Sequence, residues 1–169
     1  NTLRIGKQNY RYFKSREIEG KVKTLTIKRD ALGDIYIYVV CDIDQNEVLA
    51  RTGEMVGFDF GLKTFMTASN GEDIESPLFF KANAKAIAKA NKKLSSKQKG
   101  SNNRKKAKLT LVRLHKKVAN QRRNFHWQLA NYLVGRYADI CIEDLNLKGM
   151  QKIYGKKISD LGFNEFVKI

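Results

Sequence analysis

The sequence predicts a mixed α/β fold, and three observations carry that prediction. Short runs before residue 76, such as KVKTLTIKR at Lys21–Arg29 and DIYIYVVC at Asp34–Cys41, are rich in β-branched and aromatic residues, as strands are. Between residues 80 and 136 the apolar residues recur at helical spacing. A last run, YADICIE at Tyr137–Glu143, is nearly continuously apolar and reads as a strand buried on both faces.

The elements follow in order. Residues 4–16 interleave Arg4, Lys7, Arg11, Lys14 and Arg16 with Tyr10, Tyr12 and Phe13. That mixture suits RNA or single-stranded DNA, or equally a strand with a solvated basic face. The DALGD turn between the next two strands, with Gly33 supplying turn freedom, predicts a hairpin. A second β region starts at Glu54, turns at Asn70-Gly71 and ends near Pro77. Phe80, Ile87, Ala90 and Leu94 then predict one helix, and GSNN at 100–103 breaks it and offers cap residues. Leu111, Leu114, Val118, Phe125, Leu129 and Tyr132 form the apolar stripe of a second, long helix. Trp127 and Tyr132 are expected in the core rather than as stacking platforms, and His115 and His126 in packing or phosphate contact. After Met150 a weak helical pattern (Ile158, Leu161, Phe166) runs to the end.

Within the second β region, MVGFDFGL at 55–62 poses a chemical question. Alternate strand residues share a face, so Gly57, Asp59 and Gly61 point one way while Val56, Phe58, Phe60 and Leu62 point the other. One face is packed with hydrophobes. The other holds a lone carboxylate flanked by bare backbone, where something large and charged can come close.

Charge narrows the partner. The 169 residues carry a net charge of +16, more than solubility needs, which implies a polyanion, with nucleic acid the leading candidate. The charge is also concentrated: from Pro77 to Ala138 there is no Asp or Glu, yet that stretch holds 17 of the 33 Lys and Arg. Lys92, Lys93, Lys97, Arg104, Lys105, Lys108, Arg113, Lys116, Lys117, Arg122 and Arg123 are the candidate nucleic-acid contacts, and substituting Arg122 or Arg123 is expected to weaken binding without changing sequence preference. No membrane partner is expected, since the longest apolar run, Ile35–Cys41, is too short to span a bilayer. Cys41 and Cys141 lie far apart with no CxxC pair, so neither a disulfide framework nor a zinc site is expected, and a reducing intracellular setting is.

Two strands separated by this basic insert each end in a carboxylate, Asp59 and Glu143. If they meet on neighbouring strands, Mg²⁺ or Mn²⁺ is the economical compensating ion, because hard oxygen ligands leave positions open for phosphate and water. Asp59 and Glu143 are therefore the candidate catalytic and metal-binding residues. A strand-end Asp59 satisfied by backbone amides is the plainer alternative. Asp144, beside Leu145-Asn146, reads as a cap or turn residue.

Three motifs in this order, VGFDFGLKTFMTASNG, ANKKLSSKQKGSNNRKKAKLTLVRLHKKVANQRRNFHWQLANYLV and ICIEDLNLKGM, resemble the RuvC-type nuclease core of TnpB, the OrfB-type protein of insertion sequences, related to type V CRISPR effectors. The resemblance covers residues 54–152 and extends more loosely through REIEGKVKTLTIKRD, which is similar to that family's wedge-like β domain. It implies a partial wedge-like domain at 1–53 and a partial RNase H-like, RuvC-like domain at 54–169, with the basic helical insertion at about 80–136. It also implies an RNA-guided, Mg²⁺-dependent DNA endonuclease with DNA and a guide RNA as partners, in a bacterial or archaeal cytoplasm at the nucleoid. Asp59 matches the first catalytic aspartate and Glu143 the catalytic glutamate. The family's third catalytic aspartate and four-cysteine zinc element lie downstream of the EDLN strand and outside these 169 residues, so the chain is expected to be a central portion of a longer nuclease, inactive or impaired alone. Three other classes remain: a binding module or repressor-like relative without the chemistry; an actin-like ATPase, which also opens on a GxDxG strand but should show a second glycine-rich phosphate strand; and a plain basic RNA-binding protein, against which the EDLN strand argues modestly.

Overall fold

The computed structural model describes residues 1–43 and 53–169, and its chain falls into two compact units, Asn1–Leu49 and Ala50–Ile169. In the first unit β1 (Thr2–Ile5) pairs antiparallel with β2 (Gln8–Arg11), and β3 (Lys21–Arg29) with β4 (Ile35–Asp42), as two separate two-stranded sheets. The β3–β4 turn forms as the sequence predicts. Asp30 Oδ1 accepts hydrogen bonds from the Leu32 and Asp34 amides, both at 2.9 Å, and Gly33 takes φ 91°.

The second unit holds a four-stranded sheet in the order β7-β6-β5-β8. Strands β5 (Glu54–Phe60), β6 (Thr64–Ala68) and β7 (Asp73–Glu75) form an antiparallel meander with its tight turn at Asn70-Gly71, and β8 (Tyr137–Ile142) returns parallel to β5. Parallel pairing needs a long crossover. Here it is the helical pair α1 (Phe79–Ser95) and α2 (Asn102–Arg136), with α3 (Leu147–Leu161) and α4 (Phe163–Phe166) following β8. Among the described residues, no helix is long and apolar enough to cross a membrane.

The alternation in MVGFDFGL builds the core. Val56, Phe58 and Phe60 are buried against Leu129 and Leu133 of α2, Ile158 and Leu161 of α3, and Phe163 and Phe166 of α4. Phe65, 1% exposed, sits among the rings of Phe60, Phe125, Phe163 and Phe166 at centroid distances of 5.9, 5.4, 5.2 and 5.4 Å. The pairs with Phe60, Phe125 and Phe166 meet edge-on, and such pairs each contribute about 0.5–1.5 kcal/mol beyond the area they bury. The weak pattern after Met150 thus encodes one wall of the core, with Ile158, Leu161 and Phe166 all inside it.

Three expectations are corrected. Strand β8 is not buried on both faces: it lies at the sheet edge, and Cys141 and Ile142 are exposed. Its apolar run reflects pairing with β5 and packing at its start, where Tyr137 is buried. Trp127 and Tyr132 are not core residues, being 50% and 43% exposed. Trp127 is two positions from Leu129, which on a helix turns it away from the sheet, and Tyr132 flanks the stripe and donates a hydrogen bond to Glu72 at 3.0 Å.

The helical pair is clasped at both ends by long-range contacts. Ser101 caps α2, its Oγ accepting from the Arg104 amide at 3.2 Å. The Arg104 guanidinium turns back and donates to the carbonyls of Leu94 and Lys97, both at 2.9 Å, closing the C-terminal end of α1. At the other end α1 has no acid in its first turn, and the buried Asp160 of α3 accepts from the Phe80 and Lys81 amides at 2.8 and 3.2 Å. A carboxylate there satisfies two helix-end donors and complements the helix dipole.

Candidate active site

The parallel register Gly57↔Cys141 and Phe58↔Ile142 carries Asp59 to the level of Glu143, just past the end of β8. The two carboxyl groups are hydrogen-bonded to one another, and both residues are exposed. That hydrogen bond, partial loss of water and the negative charge of Asp59 all hold the Glu143 carboxyl above its ordinary range. A neighbouring like charge disfavours ionisation, and a cation bound beside it would offset that.

They line an open cleft of about 560 Å³ together with Gly57, Thr67, Ser69 and Cys141. Its floor is the glycine-bearing face of β5. A Cβ built on Gly57 would meet only Ser69 Cβ, at 3.9 Å, so packing within the described residues does not demand glycine there. The face is left bare for what approaches it. Gly61 has a different cause: a Cβ there would lie 2.9 Å from the Thr64 carbonyl oxygen, so the tight β5–β6 turn excludes one. Ser69 Oγ accepts from the Gly57 amide at 3.1 Å, and Thr67 Oγ1 donates to Asp73 at 2.7 Å, which orders the cleft wall.

Cys141 and Ser69 were not anticipated at the site. The period-two rule applied backward from Glu143 places Cys141 on its face, whereas Ser69 needs the β5–β6 pairing. Asp144 does not cap the next helix. Asn146 does, its side chain accepting from the Gly149 amide at 3.0 Å. The two later acids, Asp160 and Glu165, lie elsewhere: Asp160 caps α1 and Glu165 pairs with Arg122. Among the described residues no group of three or more His, Cys, Asp or Glu converges.

The basic residues divide into two kinds. Lys92, Lys93, Lys105, Lys108, Arg113, Lys117 and Arg123 are exposed, and Lys97 and Lys116 are half-buried. Arg104 and Arg122 have structural partners. Arg104 closes α1, and Arg122 donates to Glu165 at 2.9 and 3.2 Å and to the Ser159 carbonyl at 3.0 Å. His126 is 1% exposed and packs in the core, hydrogen-bonded through Nε2 to the Leu161 carbonyl at 3.1 Å, while His115 is exposed beside Phe80.

Residues 38–154 match the OrfB_IS605 family model, described as a probable transposase. The chain is 33% identical to "Putative RNA-guided DNA endonuclease InsQ" of Escherichia coli (strain K12), an alignment covering 91% of this chain and 38% of that protein. It is also 33% identical to "Putative RNA-guided DNA endonuclease" of Streptomyces pristinaespiralis, over 84% of this chain and 36% of the relative. "TnpB-like protein L79" of Acanthamoeba polyphaga mimivirus is 26% identical over 86% of this chain and 31% of its own length. The chain therefore spans well under half the length of these relatives. With 117 consecutive positions matched (38 through 154) and this identity spread along most of its length, the chain belongs to the OrfB_IS605 family of TnpB-like, transposon-associated proteins.

Proposed function

We propose that this chain is the nuclease core of a TnpB-like RNA-guided DNA endonuclease, with an RNase H-like, RuvC-type sheet and phosphodiester hydrolysis as the reaction of the longer protein. The observation that carries the reading is the meeting of Asp59 and Glu143 across β5 and β8, at an open cleft beside a glycine-bearing strand. The donor set suits a hard divalent cation. The Glu143 carboxyl, which holds its proton more tightly beside Asp59, can exchange it for Mg²⁺ or Mn²⁺. Asp59 and Glu143 would hold the ion, and when bound it supplies Lewis acidity toward a phosphate oxygen and a more acidic water. The chain's own groups do the rest. The bare Gly57 backbone admits the sugar-phosphate, and the exposed lysines and arginines of α1 and α2 hold the polyanion through its backbone, leaving sequence choice to guide pairing. The names of the relatives support DNA and RNA as partners.

A two-ion arrangement needs more ligands than the two acids that meet here, which favours one second reading: a nucleic-acid-binding module without the chemistry. Calorimetric titration of the chain with Mn²⁺, beside cleavage of labelled single-stranded DNA, separates the readings. The nuclease-core reading expects Mn²⁺ binding that Asp59→Asn and Glu143→Gln each abolish, with weak or no cleavage by the chain alone. Mn²⁺ binding unchanged in both variants would overturn it.

A further inference from the structure

The only tryptophan in the chain, Trp127, lies half exposed on α2, and the nuclease reading gives its ring no role. Leu129 and Leu133 turn the opposite side of α2 onto the apolar face of the sheet. Asp59 and Gly57 occupy the sheet's other face, so Trp127 is well separated from the carboxylate cleft. Around Trp127, at helical spacings of three, four and seven, stand Asn120, Arg123, Asn124 and Asn131, all exposed. Arg113 and Lys117 continue the same exposed side toward the start of the helix.

The make-up of this face decides its partner. An indole flanked by three amides and an arginine offers a flat stacking surface, hydrogen-bonding groups for base edges and a charge for phosphate. Neither α1 nor α2 contains a single Asp or Glu, so the charges these helices themselves carry are all positive. A protein partner seeking a lone tryptophan would have to desolvate those amides and the arginine. A single strand of nucleic acid pairs with each of them. Duplex DNA does not fit as well, because its bases are already stacked on each other.

We infer that the outward face of α2 formed by Asn120, Arg123, Asn124, Trp127 and Asn131 binds single-stranded nucleic acid, with an unpaired base stacked on the Trp127 indole and phosphate held by Arg123. The inference rests on the nuclease reading for the class of ligand and for Arg123 as a phosphate contact, and it adds a base-stacking site apart from the cleft.

Because Trp127 is the sole tryptophan, its emission reports on this face alone. Oligothymidylate, oligouridylate and a duplex of equal length are each titrated into the chain, following Trp127 fluorescence and, in parallel, the anisotropy of a labelled oligonucleotide. Both single strands are expected to quench the emission, and the duplex to bind without quenching it. Trp127→Ala is expected to weaken single-strand binding roughly 5- to 150-fold, the span measured for one base–aromatic stack. Trp127→Tyr, which keeps a stacking ring, should retain most of the affinity, and a thermal melt of each variant reads folding separately. Quenching by one single strand alone would assign the face to DNA or to RNA. Unchanged emission with binding intact by anisotropy, or equal quenching by the duplex, would overturn the inference and leave the nucleic-acid reading standing. No salt-sensitive binding of any oligonucleotide would overturn both.

Discussion

Arg122 and Glu165 form a two-pronged pair, Nε to Oε2 at 2.9 Å and Nη2 to Oε1 at 3.2 Å, that ties the middle of α2 to α4. The same guanidinium donates to the Ser159 carbonyl at 3.0 Å, and its side chain is only 18% exposed. Gly162 passes close beneath it: a Cβ there would come within 2.8 Å of the arginine side chain. Charge, hydrogen bonding and close packing thus act together at one joint.

Neighbouring arginines should therefore behave differently. Arg122→Ala is expected to lower stability by about 1–3 kcal/mol, the scale of hydrogen bonds to charged groups. Arg123→Ala, at an exposed position, should leave stability nearly unchanged and weaken nucleic-acid binding. Urea unfolding read beside salt-dependent oligonucleotide binding checks both. Equal stability loss in the two variants would contradict the division between structural and binding arginines.

Asp160 gives a second stability prediction. Asp160→Ala removes the acceptor of the Phe80 and Lys81 amides and should cost roughly 0.5–2 kcal/mol, as for lost helix caps. Hydrogen exchange should show the loss locally, as faster exchange in the first turn of α1. Uniform acceleration over the whole unit would mean that Asp160 matters to the core and not to the cap.

The Asp59–Glu143 pair sets a pH dependence above the ordinary glutamate value of 4.5. The folded protein holds the Glu143 proton more tightly than the unfolded chain. Stability from this pair is therefore present at low pH and declines as pH rises from that ordinary value through the raised one. Glu143→Gln should flatten that decline in thermal melts. In the same window Mn²⁺ binding to the unsubstituted chain should strengthen as pH rises, since the ion displaces the Glu143 proton. Binding that does not change with pH would argue that the two carboxylates are not its ligands.

His126 works in the opposite sense. Burial, opposed by the hydrogen bond to the Leu161 carbonyl, pushes its pKa below the ordinary 6.5. That hydrogen bond requires the proton on Nε2, and among the described residues buried Nδ1 has no hydrogen-bond partner, so charging the ring would place a donor where none of them accepts. As pH falls below 6.5 the unfolded chain takes up a proton that the folded protein refuses, so stability falls until the lowered pKa is reached. His126→Gln should abolish the dependence in that window. NMR titration of the ring in the folded protein should show a midpoint below 6.5.

How much of this was legible from the chain depends on the range of the interaction concerned. Period-two alternation in MVGFDFGL located the buried face of β5 and the face bearing Asp59, because side-chain direction in a strand is set by its own backbone. The helical pair and its break at GSNN followed from apolar spacing and cap chemistry, which are equally local. The meeting of Asp59 with Glu143 could be posed from sequence only as a condition, since it rests on the parallel register of two strands that the whole helical pair separates.

Tertiary structure alone decided the fate of the individual charges and aromatics. Lys and Arg on α2 look alike in sequence, yet Arg104 reaches back to carbonyls of α1 and Arg122 to a glutamate after α3, while Arg123 remains exposed. Trp127 is expected in the core from sequence, but with Leu129 and Leu133 turned onto the sheet it is half exposed. Local sequence sets which way a side chain leaves its own helix or strand. What it meets there depends on segments tens of residues away, whose placement is a property of the packed core.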